Sequence, residues 1–191
     1  MLLYILLGII ILLIAYYLYF NRDPERKIPK TGIVAPADGK VLEVTTVDKK
    51  AEFKKGIGYT SFTTDMKLPA TMIRIFLNPF DVHVQRAPIE GTIQKVKHYL
   101  GKHAMAFKPT AWQNERAEIT IKSQKGPVKV VLIAGILARR IRTFVKKGQK
   151  IQKGQRIGKI LLGSQVCVLL PKCKTKTKRG EKVQAGTSII A

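Results

Sequence analysis

Leu161-Leu162-Gly163-Ser164-Gln165-Val166-Cys167-Val168-Leu169-Leu170 is an almost unbroken apolar run, interrupted by one Gly-Ser dipeptide and stopped by Pro171. A run this short and this apolar reads as a strand buried on both faces, and a glycine inside it marks a bulge or a close backbone approach. Gly163 has no Cβ, so the peptide ahead of Ser164 is free to take conformations closed to other residues. On the residues alone the dipeptide reads first as a turn or bulge.

The segments on either side repeat each other. Lys147-Gly148-Gln149-Lys150-Ile151-Gln152-Lys153-Gly154-Gln155-Arg156-Ile157 recurs as Arg179-Gly180-Glu181-Lys182-Val183-Gln184-Ala185-Gly186-Thr187-Ser188-Ile189. In both, an aliphatic residue follows each glycine at the third position. Each copy reads as a very short strand between glycine turns, and the pair predicts a pseudo-symmetric barrel-sandwich-like unit of small strands.

Further upstream, Ile33 to Val44 reads as two short strands about an Asp38-Gly39 turn, and Thr71 to Leu77 as a strand stopped by Asn78-Pro79. Val82-His83-Val84 resumes extended structure, with His83 on the face opposite its valine neighbours. Ile89 to Ile93 is a further turn and strand. Ala117 to Lys122 and Val128 to Ile133 are strands about a Gly126-Pro127 turn, His98 to Pro109 is a loop or short helical turn, and Ala134 to Phe144 fits either period. The body is therefore expected to be mostly β, compact and built of many short strands.

Leu2–Phe20 has neither a charge nor a proline and would be about 28 Å long as a helix, enough to cross a hydrocarbon core. No basic residue precedes it, so it reads as a transmembrane anchor and not as a cleaved signal. Tyr16, Tyr17 and Tyr19 gather at its exit, and Arg22, Arg26, Lys27 and Lys30 follow, which places the body on the cytoplasmic face of the cell membrane. Residues 21–31 are a polar linker and 32–191 the functional domain. The net charge of +23 over 191 residues suits an anionic partner, and a membrane anchor favours lipid headgroups over nucleic acid. Cys167 and Cys173 are too few for a disulfide framework and have no metal-binding company, so reduced thiols and no metal site are expected.

Four segments, Ala35-Pro36-Ala37-Asp38-Gly39-Lys40-Val41, Phe80-Asp81-Val82-His83-Val84-Gln85-Arg86-Ala87-Pro88, Asn114-Glu115-Arg116 and Lys153-Gly154-Gln155-Arg156-Ile157-Gly158-Lys159, stand in this order ahead of Gly163-Ser164. Together they resemble phosphatidylserine decarboxylase, in its short archaeal-type branch. The resemblance implies a proenzyme that cuts itself between Gly163 and Ser164, leaving chains 1–163 and 164–191. The Ser164 hydroxyl would attack the preceding carbonyl, and elimination would convert Ser164 into a covalent pyruvoyl cofactor. That ketone would form a Schiff base with the serine amine of phosphatidylserine or archaetidylserine and accept the electrons left by carbon dioxide. By the same resemblance Asp38 supports the serine-activating base, and His83 handles substrate and protons, a role open to imidazole near neutrality.

The chain departs from that pattern at one place. Bacterial members carry a second histidine three positions after the first, where this chain has Arg86. An arginine does not accept a proton at working pH but does clamp a phosphate or an oxyanion, so Arg86 is expected to bind substrate. The activation of Ser164 stays open between His83 alone and His83 with His103. His98 is expected to be a solvated loop residue, and Arg116 to pair with Glu115 or Glu118 or to touch substrate. Two rival readings remain. A membrane-anchored lipoyl-like adaptor shares the glycine-spaced repeat but lacks sustained heptads and a suitably flanked carrier lysine. A nucleic-acid binder lacks a recognition motif.

Overall fold

A computed structural model describes residues 1–48, 63, 65–101, 105–106, 111, 113–135, 140–161 and 163–191. In chain order the elements are α1 (Leu2–Phe20), β1 (Gly39–Val47), β2 (Ala70–Leu77), β3 (Val84–Arg86), β4 (Gly91–Tyr99) and β5 (Arg116–Ser123). They continue with β6 (Gly126–Ala134), β7 (Ile141–Thr143), β8 (Lys150–Ile151), β9 (Arg156–Ile160), β10 (Ser164–Pro171) and β11 (Lys182–Val183). The apolar run becomes β10, antiparallel to β2 on one side and to β6 on the other. Alternation then divides its side chains between two clusters. Val166, Val168 and Leu170 join the main core with Ile73, Ile75, Ile119 and Leu132, while Cys167 and Leu169 meet Met72, Val131 and Ile133 on the other face.

The large sheet runs β11-β1-β2-β10-β6-β5-β4-β8, and a small one runs β3-β9-β7. The large sheet has the same plan from either edge, with a pseudo-dyad between β10 and β6. The glycine-spaced repeats supply its two ends. Gly180 N–H donates to Val41 and Val41 N–H to Glu181, and in the other half Gly148 N–H donates to Ile93 and Ile93 N–H to Gln149, each at 2.8 Å. Gly186 to Ala35 and Gly154 to Ala87 repeat the correspondence, also at 2.8 Å. A second duplication, missed in the sequence, supplies the partners: Ala35-Pro36-Ala37-Asp38-Gly39-Lys40-Val41 matches Ala87-Pro88-Ile89-Glu90-Gly91-Thr92-Ile93. A Cβ on Gly39 would overlap the Phe76 carbonyl of β2, and one on Gly91 the Lys122 carbonyl of β5. The repeated glycine thus lets two neighbouring strands approach.

The halves differ in one connection. β5 turns straight into β6 through Gln124-Lys125, with Ser123 opposite Gly126, so the turn precedes the Gly-Pro pair expected to form it. Gly126, at φ 102°, opens the strand instead. At the corresponding place in the other half, Leu77 at the end of β2 lies opposite Ser164 at the start of β10. The whole second half is inserted where that hairpin would have turned, and Gly163-Ser164 stands at the tip.

Two further expectations are corrected and one open reading is decided. His98 lies in β4 and not in a loop, because the strand runs on to Tyr99 against Arg116. Of the two strands expected between Ile33 and Val44, the first is only a bridge from Val34 to Ile189, since its partner comes from the far end of the chain. In the ambiguous stretch Ala134 to Phe144, Ala134 closes β6 and Ile141–Thr143 forms β7, while 136–139 lie outside the described residues.

Residues 21–26 are bound to the body. Asp23 accepts from Arg86 at 2.9 Å and also from Arg156, Glu25 accepts from Arg156 at 2.7 Å, and Arg26 donates to Asp38 at 2.8 Å. Phe20, the last residue of α1, is buried against the His83 ring with centroids 4.5 Å apart. Replacing Gly91 by Ala is expected to destabilise the fold by about 2 kcal/mol or more, although its φ is ordinary, because the methyl group would have to push β5 away. A fall of several degrees in the melting midpoint of the detergent-solubilised protein checks this.

Candidate active site

Ser164 opens β10 between Leu77 and Ala134, fully buried, and its Oγ has no hydrogen-bond partner. Gly163 has φ +53°, with open space where a Cβ would sit. Its glycine is therefore required by backbone conformation and not by crowding. The Gly163 carbonyl, by contrast, is crowded. A Cβ on Gly135, just past the end of β6, would overlap the Gly163 carbonyl oxygen and come 3.0 Å from its carbon. The carbonyl next to the serine hydroxyl is thus seated on a bare Cα. Gly135 was not singled out in the sequence; the only signal was a glycine at the end of the apolar run Val130 to Ala134.

His83 immediately precedes β3 and is wholly buried. Its Nδ1 lies 2.8 Å from the Asp81 carbonyl, which only accepts, so Nδ1 carries the proton and Nε2 presents a bare lone pair. Burial lowers the His83 pKa to about 4; the Asp81 bond opposes the shift and the charges of Lys159 and Arg22 add to it. The imidazole is a neutral base at physiological pH. The His83 carbonyl accepts from Ile160 N–H at 3.2 Å and from Gln85 Nε2 at 2.9 Å, which ties it to the end of β9 just ahead of Leu161 and the Gly-Ser dipeptide. Among the described residues, the buried side-chain N and O atoms without a partner are His83 Nε2, Gln85 Oε1 and Ser164 Oγ. Buried polar atoms are rarely left unpaired, so these three are the candidates for a functional site. Gln85 had no distinguishing signal in the sequence.

The other expected site residues are engaged elsewhere. Asp38 accepts from Ala185 N–H at Oδ1 and from Arg26 at Oδ2, both at 2.8 Å, and these bonds tie the linker to the second repeat. Its charge raises the pKa of Asp81, which burial already pushes up, so Asp38 lies beside the loop that holds His83. Arg86 is buried, and its guanidinium donates to the Gly154 carbonyl at 3.1 Å, the Pro24 carbonyl at 3.0 Å and Asp23 at 2.9 Å. These inward bonds occupy the group expected to meet a lipid phosphate. His98 bonds Glu115 at 2.9 Å, and Arg116 bonds Glu118 at 3.1 Å and stacks 4.1 Å above Tyr99. His103 lies outside the described residues. Among them no cluster of three His, Cys, Asp or Glu side chains is arranged to hold a metal ion. Burial pushes the Cys167 thiol up to about 12 and makes it inert, and Cys173 is a free, exposed thiol.

Residues 13–191 match the family model described as phosphatidylserine decarboxylase. A phosphatidylserine decarboxylase proenzyme of Carboxydothermus hydrogenoformans is 40% identical over 190 residues, covering 96% of this chain and 83% of the relative. That of Chlorobaculum tepidum is 39% identical over 179 residues, covering 92% and 76%. A protein assigned provisionally as an archaetidylserine decarboxylase proenzyme, from Methanothermobacter thermautotrophicus, is 37% identical over 185 residues, covering 93% and 81%. Coverage of this extent, over the segments that build the Gly163-Ser164 site, shows that the chain belongs to the phosphatidylserine decarboxylase family.

Proposed function

We propose that this chain is a self-processing decarboxylase of serine phospholipids, phosphatidylserine or archaetidylserine, held at the membrane by α1 with its body on the cytoplasmic face. One observation carries the reading. Ser164 Oγ is buried without a partner beside a left-handed Gly163 peptide whose carbonyl is seated on Gly135.

The processing step would draw on Ser164, Gly163 and His83. Ser164 Oγ attacks the Gly163 carbonyl carbon, the Gly163–Ser164 amide bond breaks, and Gly163 is transferred to the hydroxyl as an ester. Loss of the Ser164 α-proton then expels the Gly163 carboxylate, and hydrolysis with release of ammonia leaves a ketone at the head of chain 164–191. His83, neutral and with Nε2 unoccupied, is the base that takes the hydroxyl proton. The same nitrogen is suited to return a proton to the substrate α-carbon. The pyruvoyl group, formed from Ser164, supplies an electrophile that no amino-acid side chain offers. Asp38 and Arg86 act as positioning residues, since their bonds to the linker hold Phe20 over the His83 ring. The anchor keeps the site beside a substrate that stays in the bilayer. An adaptor function would give no reason for three unpartnered buried atoms along this path.

Intact mass and a denaturing gel test the reading: the purified chain should appear as 1–163 and 164–191, the smaller blocked at its N-terminus, and should decarboxylate phosphatidylserine. A single uncut chain with a free Ser164 hydroxyl and no decarboxylation overturns it. Ser164→Ala should remain uncut. Gly135→Ala should remain folded by circular dichroism yet cleave at least about tenfold more slowly, a barrier increase of about 1.4 kcal/mol. Because the folded His83 pKa lies below its ordinary value, the unfolded chain binds the extra proton between about pH 6.5 and 4. Stability should therefore fall as pH drops through that window, by roughly 3 kcal/mol in all, and His83→Gln should remove this dependence in pH-resolved denaturation.

A further inference from the structure

A cavity of about 480 Å³ lies between the last turns of α1 and the sheet β3-β9-β7. One wall is a single helical face, Leu13, Tyr16, Tyr17 and Phe20, at the spacing of one stripe. The opposite wall carries Arg142 and Lys159. These two cations are direct cross-strand partners, Arg142 of β7 opposite Lys159 of β9. Like charges placed this way repel.

The carboxylate nearest to offset that repulsion, Asp23, is shared with Arg86 and Arg156. Lys159 is half-buried, and its one hydrogen bond is to neutral Asn21 Oδ1 at 2.6 Å. Burial lowers its pKa most, the charge of Asp23 opposes that shift, and the smaller effect of Arg142 adds to it. Arg142 is exposed, and its guanidinium makes no hydrogen bond or ion pair among the described residues. Two cations side by side at a cavity wall offer charge-assisted hydrogen bonds to an anion.

The wall facing the cations narrows the choice of anion. It belongs to a helix long and apolar enough to cross a bilayer, so the occupant must offer hydrocarbon to Leu13 and Tyr17 as well as charge to Arg142 and Lys159. The inner end of the cavity is set by Leu161, two residues before Gly163, and by Phe20, which covers His83. Exposed Phe80, edge-on to Tyr16 with centroids 6.4 Å apart, sits beside the same helical face, and exposed Phe144 follows β7. Phe80 extends the apolar surface of that face.

The geometry points to this cavity as the seat of the phosphodiester and upper glycerol of an anionic phospholipid entering sideways from the bilayer. Arg142 and Lys159 hold the phosphate, and the Leu13–Tyr17 face carries the start of the acyl chain. A lipid so placed directs its headgroup toward Ser164. The inference rests on the proposed decarboxylation only in naming a serine lipid, and it moves phosphate recognition from Arg86 to the β7–β9 pair.

The test uses full-length, uncut Ser164→Ala protein in phosphatidylcholine vesicles that contain phosphatidylserine with a diazirine near the glycerol end of one chain. After irradiation, adducts should map to 13–21 and 140–161. They should fall at least about tenfold in an added Arg142→Gln/Lys159→Gln pair and persist in Arg142→Lys/Lys159→Arg, which keeps the charge. In the otherwise native chain the Gln pair should leave cleavage after Gly163 complete and raise the KM for phosphatidylserine at least about tenfold. Adducts indifferent to both charges, adducts confined to other segments, or an unchanged KM in the cleaved Gln pair would overturn the lipid site and leave the decarboxylase reading intact. Charge-dependent adducts with a native chain that is never cut would support the lipid site and overturn the decarboxylase reading.

Discussion

Strand β10 is hydrogen-bonded along both edges, to β2 and to β6, and is packed on both faces. Its first residue therefore cannot shift without breaking two ladders at once. This fixity holds the Ser164 hydroxyl in one place relative to the peptide ahead of it and the glycine beneath the carbonyl, because all three are carried by the same three strands. Gly163 provides the unusual φ and Gly135 the close approach. The sheet provides the rigidity, so a local arrangement becomes a precise one.

Helix α1 is joined to this core through charge and one aromatic contact. Arg86, Asp23, Arg156 and Glu25 form a chain of ion pairs just after α1, Arg26 pairs separately with Asp38, and Phe20 lies on His83. Ion pairs at a surface contribute little, but the Arg86 end of this chain is buried, and loss of a partner there leaves an uncompensated charge. The helix long and apolar enough to cross a membrane thus also helps keep the imidazole dry and neutral.

Much of this was legible in the sequence because its cause is local. The apolar run, the apolar N-terminal stretch and the glycine-spaced repeats are patterns within a few neighbouring residues, and each produced its element. The Gly-Pro turn failed by two residues because Gly126 was needed to open a strand with φ above zero, a demand set by pairing with Ser123. His98 was misplaced because Arg116, its neighbour's partner, extends β4 from a distance. At the site, Ser164 and His83 were visible as residue types. Gly135 and Gln85 were not, since a glycine that seats a carbonyl and an amide with one idle oxygen look ordinary until the chain is folded. Arg86 shows the reverse case: its charge was visible, and the inward direction of its bonds was not.

The insertion of one half of the pseudo-dyad into the other determines what a nick in this chain would mean. Gly163-Ser164 occupies a hairpin-tip position, so cutting there leaves the pairing of β10 from Gln165 onward in place. Residues 164–191 would nevertheless contain the innermost strand, β10, and an edge strand, β11. The two products would form an obligate heterodimer whose interface is the hydrophobic core itself. Such fragments do not exchange partners in the folded state, and each molecule would keep for life the short chain it was synthesised with.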